Sequence, residues 1–202
     1  MTTDTMTFGE ELALQRWDDH RYYHHSLVNQ SLHFVSAMAF IAAYVFIFIN
    51  PTIAAFLAWV VAMVTRQSGH FFFEPKGYDE VNDATHEHKE AIKVGYNLKR
   101  KVVLHSVWAM TPVLLHLHPA MFGLFEPHHD WKGFVDNLAL TWIALGVGAL
   151  LFRGVQVMVT LSPRSGLVWM TKILTDPFHD LMLYHRAPIA LVKRDPGRAM
   201  SH

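Results

Sequence analysis

Long runs without charged residues constrain this chain more than any other feature. No Asp, Glu, Lys or Arg occurs between His33 and Asn50. A helix needs about 18 or more apolar residues to cross the hydrocarbon of a membrane. Four segments come near or exceed this length, at roughly 32–49, 52–73, 102–125 and 137–161. We therefore predict an all-α polytopic membrane bundle of about four transmembrane helices, with amphipathic interfacial helices at both ends.

The same pattern divides a single membrane domain, residues 1–202, into five parts. After a polar, disordered start at 1–9, these are an interfacial helix within 1–31, a helical hairpin at 32–73, a charged loop at 74–101, a second helical pair at 102–161 and an amphipathic tail at 162–202. Asn50-Pro51 is typical of the tight turn that a hairpin needs. Pro112 and Pro119 are expected to bend the third span, and a helix is expected over residues 84–98 within the charged loop.

The charge balance excludes several classes of function. The 17 basic and 17 acidic residues cancel, which disfavours a nucleic-acid partner because phosphate binding needs a basic surface. The absence of cysteine excludes thiolate nucleophiles, zinc–thiolate sites and cysteine-held clusters. No nucleophile-elbow serine motif and no phosphate-binding glycine loop occurs either.

Basic residues also predict an orientation. They gather before the first span, in the long loop and in the tail, whereas the two opposite connections hold Lys132 alone. The positive-inside rule then places both termini and the long loop in the cytoplasm, in a bacterial inner membrane or the endoplasmic reticulum. Ten of the 15 histidines would gather at that cytoplasmic face.

The first candidate site is the histidine-rich stretch Tyr22 to His33. His25, Asn29 and His33 are spaced by four residues and would share one face of a continuous helix. Imidazole is the commonest metal ligand among side chains near neutral pH. An interfacial helix whose histidines bond lipid headgroups is the alternative reading. Residues eight apart are separated by about 12 Å along a helix, while a metal–imidazole bond is about 2 Å. One metal therefore requires both side chains to reach inward or a helix break near Ser26; otherwise there are two metals.

A second candidate lies at the end of the second span. His70 and Glu74 are one helical turn apart, which suits two ligands, or one ligand and the carboxylate that orients it. The hairpin should bring His70 back beside His33. The alternative is that Gly69 allows close helix packing while His70 bonds a backbone carbonyl.

The remaining histidines give weaker indications. His86 or His88 could supply a loop ligand, although a solvated face explains both equally well. His179 and His185 lie about 240° apart around a helix, at ~100° per residue, so at most one belongs to a site. His105 stays unassigned, and Arg153 inside the fourth span must face protein, water or a lipid phosphate.

Two motifs resemble those of the membrane 2-hydroxy fatty acid dioxygenases. Tyr23-His24-His25-x-x-x-Asn29-x-x-x-His33 opens one span, and Gly69-His70-x-x-Phe73-Glu74 closes the next. The resemblance implies a small helical membrane protein that uses histidine-held Fe(II) and O2 to shorten a 2-hydroxy acyl chain by one carbon. It implies that His25, His33 and His70 are the catalytic iron ligands, or lie next to them. His24, Glu74, Asn29 and Tyr23 would support them. It covers residues 17–75, and Pro75-Lys76-Gly77-Tyr78 departs from the family pattern.

We therefore expect a lipid or fatty-acid substrate, a membrane location and Fe(II), with other membrane proteins as possible partners. Histidine and carboxylate ligands suit iron and also admit zinc, copper or manganese. Two alternatives remain open at this point. One is a non-catalytic membrane subunit that binds haem, a pigment or nothing, and the other is a di-iron histidine-box hydroxylase or desaturase.

Overall fold

Helices make up nearly all of the computed structural model, which describes residues 6–74 and 77–193. They are α1 Phe8–Tyr23, α2 Leu27–Phe46, α3 Pro51–Phe56, α4 Val64–Phe72, α5 His86–Ile92, α6 Leu98–Leu117, α7 Trp131–Thr160, α8 Pro163–Tyr184 and α9 Ala187–Lys193. A π-helical segment, Leu57–Met63, joins α3 to α4. Within the described ranges the one β-type pairing is an isolated bridge between Asp79 and Ala84. The all-α prediction is confirmed. The predictions for residues 1–5, for Pro75-Lys76 and for the chain from 194 onward lie outside the described residues.

Polar caps decide where the first two helices begin. Thr7 and Glu10 form a reciprocal capping box at the start of α1. The Ser26 hydroxyl accepts a hydrogen bond from the Asn29 amide at 3.0 Å and starts α2. The chain therefore leaves the helical conformation between Tyr23 and Leu27, and α1 and α2 are separate helices.

The expected hairpin of residues 32–73 is formed by α2 and the α3–π–α4 stretch. Asn50 caps α3 through its side chain, and Pro51 occupies the first helical turn, where its missing N–H costs nothing. Both α4 and the π-helical segment pack against α2. The second element, residues 51–72, matches the predicted 52–73 to within one residue at each end.

Aromatic residues bind this hairpin to α6 and α7. The Trp59 indole donates to the Trp142 carbonyl at 2.7 Å, and the Trp142 indole donates to the Thr111 hydroxyl at 2.6 Å. Trp59 and Trp108 stack with ring centroids 5.8 Å apart. The indoles of Trp59 and Trp142 and the Thr111 hydroxyl thus find partners inside an apolar core, whereas the Trp108 indole nitrogen is buried without one.

The third predicted span is shorter than expected. Helix α6 begins at Leu98, contains Pro112 and ends at Leu117, so residues 118–125 are not part of it. His118 precedes Pro119, and a residue before proline is disfavoured in the helical conformation. The expected helix within the charged loop is likewise only the seven residues of α5.

Two helices, α2 and α7, are long and apolar enough to cross a membrane. On α7 many large apolar side chains are exposed, among them Phe152, Val155 and Val159. Of the three surroundings that the sequence allows for Arg153 on the same helix, the structure shows the protein: its guanidinium donates to the Val94 carbonyl and to the Gln156 side chain.

The tail packs into the bundle. Helix α8 contacts α1, α2 and α7. Its buried side is a polar stripe at four-residue spacing, Lys172, Asp176, Asp180 and Tyr184. Large apolar residues such as Leu167, Phe178 and Met182 lie on its exposed side. Because a four-residue step keeps residues on one face, this stripe points along its length toward α1, α2 and α4.

Candidate metal centre

Three buried histidines from three parts of the chain meet at one point. They are His24, His33 and His70, and one nitrogen from each lies within 4.8 Å of the others. The His24 and His33 ring centroids are 3.9 Å apart, and His33 and His70 are 5.0 Å apart. All three are less than a tenth exposed. The structure thus brings His33 and His70 together, as the hairpin predicts.

His33 and His70 come together because helices α2 and α4 cross at close range. A Cβ atom added at Gly69 would overlap the side-chain amide oxygen of Asn29. Helices α4 and α2 are therefore so close at this point that only glycine, which has no Cβ, fits there. Asn29 is fully buried, and its side-chain amide donates to the Tyr23 carbonyl at 2.7 Å. Tyr23, in turn, donates through its hydroxyl to the Lys89 carbonyl at 2.6 Å. Asn29 and Tyr23 therefore help to position the three histidine rings but are not themselves part of the histidine cluster.

His24 is held by Tyr184. The His24 Nδ1 lies 2.8 Å from the Tyr184 hydroxyl, and His20 Nδ1 lies 3.0 Å from the same oxygen. A phenol can donate one proton and also accept hydrogen bonds; when Tyr184 accepts from the His24 Nδ1–H, His24 Nε2 is left as the free base. The Gln30 side chain also fixes the His24 backbone carbonyl, at 2.9 Å. Nε2 of His24 is left buried without a hydrogen-bond partner.

The other two rings each have a carboxylate beside Nδ1. Glu74 lies 3.2 Å from His70 Nδ1, and Asp180 lies 3.5 Å from His33 Nδ1. Arg66 holds Asp180 in place with an ion pair of 3.0 Å. A histidine whose Nδ1–H faces a carboxylate presents its Nε2 as the free base, which is how metal-binding histidines are usually oriented. In all three residues, therefore, Nδ1 faces a supporting group and Nε2 remains available.

The donor set fits a metal ion. Nε2 of His24 and Nε2 of His33 are buried without hydrogen bonds, a cost that a cation bound to these two atoms would remove. Burial, with His33 nearby, lowers the pKa of His24 well below its usual value, so this ring is neutral and ready to coordinate. Three imidazoles suit a transition metal such as iron, zinc or copper.

The structure corrects one expected ligand. His25 is exposed and points away from the cluster, with its Nε2 3.8 Å from the Asp79 carboxylate. The reason is the helix break that Ser26 creates, because the stripe of His25, Asn29 and His33 requires one continuous helix. His24, expected as a supporting residue, takes the place beside His33.

The other expected metal residues lie outside the trio. Glu74 supports His70 and is not itself among the converging atoms. Burial raises the pKa of Glu74, against the opposing charges of Lys93 and Lys101. His86 and His88 are not in the cluster, and His88 is exposed. His105 donates through Nδ1 to the backbone carbonyl of Lys101, one turn earlier in α6, at 2.7 Å.

Sequence reasoning missed a charged network behind the site. Lys172 on α8 forms ion pairs with Asp19 and Asp176, and Arg66 pairs with Asp180. Burial alone would raise the pKa of Asp19, but the adjacent Lys172 lowers it below its usual range. The four-residue spacing of Lys172, Asp176 and Asp180 indicates one polar face of α8. The sequence does not show which residues pack against that face.

A large cavity adjoins the histidines. It has a volume of about 470 Å³ and is lined by His24 and His70 at one part and by Trp59, Trp142 and Ala54 at another. A site of this kind, apolar with a few convergent polar groups, is typical of small-molecule binding.

Comparison of the chain with protein-family models, curated proteins and solved structures finds no match.

Proposed function

We propose that this chain is a membrane-bound non-haem iron oxygenase that cleaves a 2-hydroxy fatty acid by one carbon. The observation that carries the proposal is that three buried histidine side chains, which bind a metal in their neutral form, converge beside an apolar cavity. The two histidine motifs favour this chemistry over others that three imidazoles permit.

In this proposal three residues bind the metal ion and three others orient the binding residues. His24, His33 and His70 would hold the ion through Nε2, and Tyr184, Asp180 and Glu74 fix the tautomer and direction of each ring. When bound, Fe(II) would supply electrons to O2 and a positive centre for the substrate's hydroxyl and carboxylate. Three protein ligands leave coordination positions open for such groups. The apolar walls exclude water from the reacting groups.

The membrane location rests on the apolar surface. Helices α2 and α7 are candidate spans, and large apolar residues are exposed along α6, α7 and α8. We propose that the α3–π–α4 stretch and α6 complete a four-span bundle, with the histidine site toward the cytoplasm. A lipid acid could then pass from the bilayer into the cavity with its acidic group at the basic face.

The proposed reaction balances with O2 as the sole oxidant. A 2-hydroxy acid and O2 give the acid one carbon shorter, CO2 and water, as the C1–C2 bond breaks. No separate reductant is consumed in this stoichiometry. The activity is therefore measurable with purified protein, Fe(II), O2 and substrate alone.

The test compares two histidines in purified, lipid-embedded protein loaded with Fe(II) under anaerobic conditions. We expect one O2 consumed for each CO2 released from carboxyl-labelled 2-hydroxyhexadecanoic acid, and none with hexadecanoic acid. His70→Ala should lose both iron and turnover, and exposed His88→Ala should keep both. Full activity in His70→Ala refutes the assignment. A Soret band would instead show haem, two irons per chain a di-iron enzyme, and no metal a non-catalytic subunit.

A further inference from the structure

The cavity beside the histidines holds a lysine, Lys101, that has no direct ion-pair partner among the residues that the structure describes. Its lining includes four cationic residues, Arg66, Lys93, Lys101 and Lys172, and three carboxylates, Asp18, Asp19 and Asp176, each of which is in an ion pair with a basic residue other than Lys101. Three of them form ion pairs: Arg66 with Asp180, Lys93 with Glu74, and Lys172 with Asp19 and Asp176. Lys101 forms no ion pair within 4.0 Å in the part of the chain that the structure describes.

Lys101 is buried as deeply as its paired neighbours. Lys101 lies in the first turn of α6 and is only 8% exposed. A charged group out of water is costly unless an opposite charge accompanies it. Lys99, two residues earlier on the same helix turn, is exposed and has the solvent as its partner. The contrast indicates that Lys101 is placed for a ligand and not for anchoring the helix to a membrane surface.

The rest of the cavity fixes the kind of ligand. Away from the basic residues its lining is dominated by apolar and aromatic side chains, including Trp59, Met63, Leu104 and Trp142. Such a surface offers a hydrocarbon chain no hydrogen bonds to satisfy and no charge to desolvate. The ligand must therefore be anionic at one end and apolar along its length.

We propose that Lys101 binds the acidic headgroup of a single-chain amphiphile whose hydrocarbon tail fills the Trp59–Trp142 side of the cavity. Binding in this way needs no metal; only its bearing on catalysis rests on the proposed function. Lys101 would then be the residue that selects an acid over an alcohol or an ester. His70 and Lys101 both line this cavity, so the headgroup would lie in the same chamber as the His70 ring.

The cavity volume sets the length of the tail. If each methylene takes about the space of a water molecule, ~30 Å³, then 470 Å³ accommodates roughly 15 carbons. Transfer of each methylene out of water is worth about 0.8 kcal/mol, so a chain two carbons shorter should bind about 15-fold more weakly from aqueous solution. From a bilayer, whose interior is as apolar as the cavity, little of that difference should remain. Chains well beyond this length should gain nothing further.

Tryptophan quenching tests the proposal in metal-free protein. Three tryptophans, Trp59, Trp142 and Trp169, line the cavity, so a bromine-labelled octadecanoic acid at low mole fraction in nanodiscs should quench fluorescence saturably. Hexadecanoic acid should displace it, and hexadecanol should do so at least tenfold less well. Lys101→Met should weaken acid binding at least tenfold without changing alcohol binding, and Lys101→Arg should restore much of the affinity. Lys99→Met is the matched control and should bind like the parent.

The outcomes separate this inference from the proposed function. Equal acid and alcohol affinity, or unchanged acid binding in a folded Lys101→Met variant, overturns the role of Lys101. If Lys101→Met does not fold, unchanged discrimination between acid and alcohol in Lys101→Gln overturns it equally. Because no metal is present, these results stand whether or not the protein is an iron enzyme.

Discussion

The contact between Gly69 and Asn29 offers the sharpest test of how the site is built. A methyl group at Gly69 would overlap the Asn29 amide oxygen. Asn29 cannot easily move aside, since it is fully buried and its amide donates to the Tyr23 carbonyl. Overpacking of this kind costs about 1–3 kcal/mol, and a broken buried hydrogen bond adds about 1–3 kcal/mol. After subtraction of the about 1 kcal/mol by which alanine favours a helix over glycine, Gly69→Ala should destabilise the protein by roughly 1–5 kcal/mol.

The same substitution should disturb the metal site, because Gly69 adjoins His70 and its new methyl would also touch the His33 ring, at 3.4 Å. We expect Gly69→Ala to lose metal affinity in a competition titration, alongside its lowered free energy of unfolding. Gly148→Ala is the control: nothing lies within 4 Å of its added Cβ, and alanine favours a helix over glycine by about 1 kcal/mol.

A double-mutant cycle with Asn29→Ala identifies the cause. Removing the amide leaves room for the methyl, so the two substitutions together should cost about 1–3 kcal/mol less than their sum. Strict additivity, or a Gly69→Ala protein as stable and as metal-loaded as the parent, would refute the view that this crossing sets the site.

Three further predictions concern the residues around the cluster. Tyr184→Phe removes the hydroxyl beside His24 Nδ1, so metal affinity in a competition titration should fall about 10–100-fold with helix content unchanged; equal affinity would contradict the supporting role of Tyr184. His24→Ala should lose the metal on elemental analysis and His25→Ala should retain it, since only His24 faces the cluster; the reverse result would restore the continuous-helix arrangement. Lys172→Met removes the ammonium that pairs with Asp19 and Asp176; because Arg16 still pairs with Asp176 at 3.3 Å and the Asp19 side chain is 34% exposed, the cost in denaturant unfolding should be about 1–3 kcal/mol, whereas Lys132→Met, at an 85% exposed side chain, should change stability by less than about 1 kcal/mol.

The parts of the fold that could be predicted are those that depend on local pattern. The apolar run of α7 and the Asn50-Pro51 turn are visible in the chain, and the turn alone implies that His33 and His70 approach each other. The choice between His24 and His25 was decided by a single cap. The sequence allows a helix break near Ser26, but the four-residue spacing of His25, Asn29 and His33 fits an unbroken helix equally well.

The contribution of α8 was beyond sequence reasoning. Its polar stripe is regular enough to be seen as one face, yet an amphipathic helix buries either face depending on its surroundings. In an aqueous setting the apolar side would be inside; here Lys172, Asp176 and Asp180 are buried and Phe178 and Met182 are exposed. The partners that make burial of these charges possible, Asp19 and Arg66, come from distant parts of the chain.

The central claim is that His24, His33 and His70 bind one metal ion together. X-ray absorption at the metal edge of zinc- or iron-loaded protein in nanodiscs tests it most directly. The account predicts one metal per chain with about three imidazole nitrogens at roughly 2.0–2.2 Å, a signal that His25→Ala leaves intact and that His24→Ala diminishes. A chain that retains no metal after loading, or a metal whose imidazole count is unaffected by His24→Ala, would contradict it.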